Sequence, residues 1–167
     1  PTTTTAVLYL PTVAGSYVLG IVGATLGYVD MAQLAFGAGF FSWLAIESVL
    51  LNRLLTAPTM SEPLRPTIGI QLAPPAVGCL AYLSATTGPP DMLAHAMLGY
   101  ALLQLLLILR TLPWVMKLPF TAAYWAYSFG LTALATAIIR TVERRDTGIV
   151  ASLALPVFIL VNAAIAL

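Results

Sequence analysis

Ser128, Thr132 and Thr136 recur every four residues in an apolar stretch, so on a helix they form one hydroxyl stripe. Such a stripe can hydrogen-bond water or a partly dehydrated ion, or each hydroxyl can bond back to its own helix carbonyls. Glu47 sits inside an apolar run, where an ionised carboxylate is costly, and Arg110 closes another. Single copies of His95 and Cys79 build no multi-histidine metal site, thiolate cluster or intrachain disulfide, and both are read as packing residues. The sequence has no G-x-S-x-G, no H-E-x-x-H, no phosphate-binding loop and no carboxylates paired at helical spacing. These residues fit transport rather than catalysis, with no metal and no cofactor implied.

The elements that must position them are membrane helices. Hydrophobic residues make up 60% of the chain and charged ones 8%, against about 25% charged in a soluble domain. A mean hydropathy of +0.95 makes lipid the solvent for most of the chain. The net charge of +1 offers no clustered basic face for nucleic acid. A span needs about 20 apolar residues, and cutting at polar and turn-forming residues yields six within one transmembrane domain, 1–167. They are Ala6 to Tyr28, Met31 to Leu55, Pro66 to Thr86, Asp91 to Val115, Pro119 to Thr141 and Thr147 to Leu167. Val29-Asp30 reads as a tight link, and 57–65, with Pro58 and Pro63, as a loop. Gly88, Pro89 and Pro90 read as a turn, with Asp91 capping the next helix and Pro119 in the first turn of the fifth. The spans pair into three antiparallel hairpins. Arg53, Arg65, Arg110 and Lys117 fall on one side and Arg140, Arg144 and Arg145 on the other, which favours the first side as cytoplasmic. The opening Pro1 to Thr5 has no initiating Met and no signal features, so a longer protein is expected.

The spans alternate in character. The second and fourth carry large aliphatic and aromatic residues such as Phe40, Phe41, Trp43 and Leu102 to Leu109, suited to lipid and outer packing. The first, third and fifth carry small residues, prolines and hydroxyls, with Gly23 and Gly27 at close-contact spacing. Prolines free backbone carbonyls, which membranes tolerate only against protein or water. Three such segments around a shared axis would line an aqueous path. The lining residues expected are Thr12, Ser16, Tyr17, Gln71, Pro75, Ser128, Phe129 and Thr132. Tyr127 and Phe129, beside Ser128, are candidates to obstruct the path, although aromatics at helical spacing also serve as core. Tyr9, Tyr28, Trp43 and Trp114 read as interfacial or packing aromatics. Glu47 lies sixteen residues into its span and Arg110 nineteen into the fourth, a depth difference of ~4–5 Å that predicts a partly buried structural ion pair.

The stretches LYLPTVAG (from Leu8), FGAGFFSWLAIESVLLNRL (from Phe36), LRPTIGIQLAPPAVGCLAYLS (from Leu64), GYALLQLLLILRTLPW (from Gly99) and PFTAAYWAYSFGLTALAT (from Pro119) resemble the TehA-type tellurite-resistance/dicarboxylate transporter family. That family also contains the plant slow anion channels, and the likeness runs along essentially the whole chain. It implies helices five to ten of a ten-helix fold, with five hairpins around a central pore, odd-numbered helices inside and even-numbered ones outside. It further implies homotrimers in the cell (inner or plasma) membrane, each protomer with its own pore. The family's pore is closed by a phenylalanine in a W-A-F-S-F-G-like motif, which places the gate on Tyr127 of Trp125-Ala126-Tyr127-Ser128-Phe129-Gly130. Ser16-Tyr17 stands where Asn-Phe is usual, and Ser48 departs from a Glu-Pro pattern. The function expected is passive conduction of small anions through an aromatic-gated pore. The alternatives are a proton-coupled carrier of dicarboxylate, sulfite or a tellurium oxyanion, and a non-conducting membrane interaction subunit.

Overall fold

The computed structural model of the chain describes residues 5–56 and 60–166. Residues 57–59 of the expected loop and Leu167, the end of the last expected span, lie outside them. The described residues form six helices long and apolar enough to cross a membrane, with no strand among them. They are α1 (Ala6–Thr25), α2 (Val29–Thr56), α3 (Glu62–Ala85), α4 (Met92–Val115), α5 (Ala122–Glu143) and α6 (Ile149–Ala166).

Local chemistry sets the ends. Helix α1 stops at Thr25, where Gly27 adopts a φ of +86° and the chain closes back through Tyr28 N–H to Gly23 O (2.8 Å) and Gly27 N–H to Ala24 O (3.1 Å). This double closure needs a left-handed residue, which glycine supplies without a Cβ penalty. The first link is therefore 26–28, not Val29-Asp30, which begin α2. Gly27 makes the turn, while Gly23 sits with Gly20 at the α1–α2 contact. The same closure ends α5, with Arg145 at φ 72°, Arg145 N–H to Val142 O (2.9 Å) and Asp146 N–H to Thr141 O (3.3 Å). Asp91 caps α4 as expected, accepting from the backbone N–H groups of Leu93 (3.0 Å) and Ala94 (3.1 Å). Helix α5 starts at Ala122, after an extended Thr121, so Pro119 belongs to the link instead of the first turn.

Three spans are irregular, and all three are odd-numbered. Leu10–Ala14 is π-helical around Pro11, Glu62–Leu72 is 3-10 helical around Pro63 and Pro66, and α5 opens with a 3-10 turn, Ala122–Trp125. Proline removes a ladder N–H and crowds the preceding turn, which accounts for the first two.

Helix α3 is the axis of the packing. It contacts α1 on one flank and α5 on the other, while α2 packs on α1 and α3, α4 on α3 and more lightly on α5, and α6 chiefly on α5. Its most apolar window is 72% buried, against 11% for α6. Side-chain sizes explain the fit. The Tyr17 ring wedges between Gly39 of α2 and Gly78 of α3, where an added Cβ would lie within 3.0 Å of it. Leu72 and Ala73 of α3 approach Gly130 of α5 in the same way. The small-residue helices α1, α3 and α5 are thus joined through α3, while α1 and α5 are no more buried than α4.

Candidate ion path along the α1–α3–α5 face

Helices α1, α3 and α5 run in the same direction, because each is followed by a short link and a return helix. On α3, Ile70, Pro74 and Val77 line a narrow seam together with Leu10 and Ala14 of α1 and Phe129 of α5. Farther along, Leu80 and Ser84 of α3, Ile21 and Thr25 of α1, and Thr136 and Arg140 of α5 bound an open groove of about 400 Å³. On α5, Phe129, Thr132 and Thr136 follow one another at spacings of three and four and are exposed, so they share the face turned to this groove.

The hydroxyls along it are already engaged. Ser128 Oγ donates to Trp125 O (2.8 Å), Thr132 Oγ1 to Ser128 O (2.9 Å) and Thr136 Oγ1 to Thr132 O (2.8 Å). On the facing helices Thr25 donates to Ile21 O and Ser84 to Leu80 O, both at 2.8 Å. Groove exposure and back-bonding therefore coexist. An ion must compete for a proton that a carbonyl already accepts, which gives weak, exchangeable contacts.

Several expected lining residues lie elsewhere. Tyr127 does not enter the groove: its ring packs on Gly69 of α3, 2.7 Å from where a Cβ would stand. It shares a helix face with Gly130, Leu134 and Ile138, the face buried against α3, whereas Phe129 is some 200° farther round. Pro74 lines the seam while Pro75 is fully buried. Ser16 turns to Gly39 of α2, and Thr12 is exposed but not among the residues lining the seam or the groove. Tyr17 is buried with its ring edge at the seam. Gln71 is buried beside Thr5, Ala6, Leu50 and Arg53 in a small crevice between α1, α2 and α3.

Glu47 and Arg110 do not pair. The Glu47 carboxylate is buried and accepts from Tyr9 Oη of α1, Trp43 Nε1 (3.2 Å), Tyr100 Oη (2.6 Å) and Gln104 Nε2 (3.1 Å) of α4. Gln104 also donates to Tyr100 Oη (3.0 Å). Arg110 is exposed and in no ion pair among the described residues. It lies six residues beyond Gln104, about 9 Å farther along α4 and on another face. The missed signal was the spacing of four in both Trp43/Glu47 and Tyr100/Gln104, which puts two polar groups on one face of each helix. Cys79 packs as expected, its Sγ 3.7 Å from Ala94 O.

His95 is not a packing residue. It bonds Asp91 O through Nδ1 (2.8 Å) and Asp146 Oδ2 through Nε2 (2.6 Å), tying α4 to the α5–α6 link. Asp146 is held below the usual carboxylate range by the Gly148 N–H and then by His95. The Tyr82 hydroxyl, followed by the Ala94 N–H, does the same for Asp91. Both stay anionic at neutral pH. At the opposite end the Arg65 guanidinium stacks 4.5 Å above the Trp114 ring, so Trp114 is a cation partner as well as an interfacial aromatic.

The sequence model of the family described as SLAC1, voltage-dependent anion channel, matches residues 1–167. A tellurite resistance protein TehA homolog from Haemophilus influenzae is 42% identical over 127 residues, covering 76% of this chain and 38% of its own length. The guard cell S-type anion channel SLAC1 of Arabidopsis thaliana is 24% identical over 131 residues, 78% of this chain and 23% of its own. The S-type anion channel SLAH2 of the same plant is 27% identical over 130 residues, 77% and 24%. The chain thus spans well under half the length of these relatives.

Proposed function

The chain belongs to the SLAC1 family, described as voltage-dependent anion channels, and from that premise we propose that it supplies one wall of a passive anion path crossed by Phe129. The observation that carries this reading is the α1–α3–α5 face itself. It carries small residues and hydroxyls, and among the described residues lining the seam and the groove the charged ones, Arg140, Glu143 and Arg144, stand together at one end. Ring edges carry partial positive charge, and hydroxyls and water bind anions weakly enough for release. Selectivity then follows the cost of dehydration. The same proposal includes the cell membrane as location and a homotrimer as assembly, both resting on the family resemblance.

Bilayer recording of the full-length protein tests it. With unequal chloride on the two sides the reversal potential should sit near the anion equilibrium value, and nitrate should carry at least as much current as chloride. A reversal potential at the cation value, or flux that vanishes without a pH gradient, would reject it. A proton-coupled carrier is less well supported, because Glu47 is enclosed by four donors away from the groove and Glu143, the acid among the described residues lining it, is paired with Arg140.

A further inference from the structure

Helices α1, α3 and α5 all end at the link side, at Thr25, Ala85 and Glu143. Each C-terminus exposes carbonyls without intrahelical donors and carries about half a negative charge. Three together make the groove's mouth at this end unfavourable for an anion unless a cation stands there.

One does. Arg144 borders both the groove and a neighbouring vestibule of about 420 Å³ formed by the links, with Gln33, Tyr82, Thr86 and Pro90 among its walls. Its guanidinium donates to Thr86 O and to Thr86 Oγ1 (3.2 Å), both uncharged acceptors. The nearby carboxylates are engaged elsewhere. Glu143 pairs with Arg140 at 2.9 Å. Asp91, which also faces the vestibule, accepts from Tyr82 and from the N–H groups of Leu93 and Ala94. Asp146 accepts from Gly148 (2.7 Å) and contacts His95 (2.6 Å). Arg144 is in no ion pair among the described residues and keeps N–H donors to spare.

We propose that Arg144, tethered by Thr86, is an anion-capture site at the link-side mouth of the path, taking small oxyanions and carboxylates from water before they enter the groove. The planar guanidinium fork suits a two-oxygen ligand better than a spherical halide. This rests on the channel reading above.

The test compares currents through the full-length protein at about 10 mM and about 1 M nitrate, where the screening length falls from roughly 30 Å to 3 Å. A capture charge acts at low salt only. Arg144→Gln should lower the 10 mM current roughly four-fold and leave the 1 M current near wild type, the factor expected for one unit charge about 5 Å from the ion in water. Arg144→Lys should restore most of the loss. Ser84→Asp sets a counter-charge in the same wall, keeps the Arg144–Thr86 tether and should reproduce the loss, so it decides the matter should Arg144→Gln fail to reach the membrane. Arg145→Gln, outside the groove, should do neither. Equal loss at both salt levels, or wild-type current at 10 mM in Arg144→Gln or Ser84→Asp, overturns the capture site alone. A wild-type protein silent at both levels overturns the channel reading and the capture site with it.

Discussion

Phe129→Ala in the full-length protein should raise anion current roughly ten-fold or more, equivalent to removing about 1.4 kcal/mol from the barrier. Phe129 of α5 lines the seam beside Pro74 and Val77 of α3 and is 46% exposed. Its removal leaves a widened passage instead of a collapsed core, because the ring buries only part of its surface. A hydrophobic constriction blocks by excluding water, so the same change should wet the seam. Tyr127→Ala should behave differently. That ring fills the space over Gly69, so truncation should cost about 3 kcal/mol of stability, and its main effect should be on the yield of folded protein. The Tyr127 hydroxyl is buried with no hydrogen-bond partner among the described residues, so Tyr127→Phe should be silent in both assays. If Tyr127→Ala instead opened a normally folded protein while Phe129→Ala did nothing, the assignment of these two rings would be reversed.

Glu47→Ala should be the most destabilising single change in the chain. It strands four donors from Tyr9, Trp43, Tyr100 and Gln104 in a buried site shared by α1, α2 and α4. At about 1–3 kcal/mol for each unsatisfied buried group, with partial relaxation, the loss should be roughly 4 kcal/mol or more. Glu47→Gln should be intermediate, since it keeps one acceptor oxygen. Exposed Arg110→Gln should be close to neutral. Thermal unfolding of the purified protein in detergent measures all three. A stable Glu47→Ala beside an unstable Arg110→Gln would restore the ion pair that sequence depth alone suggests.

What could be read in the chain was what each segment decides for itself. The six apolar helices follow from local composition and are present in the fold, although α3 begins at Glu62, inside the expected loop. The Asp91 cap needs only its own next three residues. Rotation about each helix axis is different, because it depends on which neighbour has room. Tyr127 and Phe129 are two residues apart, and the cavity over Gly69, sixty residues away in the chain, decides which one faces α3. Pro74 and Pro75 divide in the same way, one at the seam and one in the core. The partners of Glu47 lie on three helices, so pairing it by depth alone selects a distant cation. His95 meets Asp146 only because the links after α3 and α5 come together at one end.

An ion path along α1, α3 and α5 requires their shared face to be wet. Thr132→Cys and Thr136→Cys place thiols on the groove side of α5, and Leu106→Cys places one on the exposed outer side of α4, while native Cys79 is buried and silent. A charged, membrane-impermeant thiol reagent should label the two groove cysteines and alter the anion current, leaving Leu106→Cys untouched. Labelling of Leu106→Cys at the same rate, or groove cysteines that react only with a lipid-soluble reagent, would put lipid where the ion path is drawn.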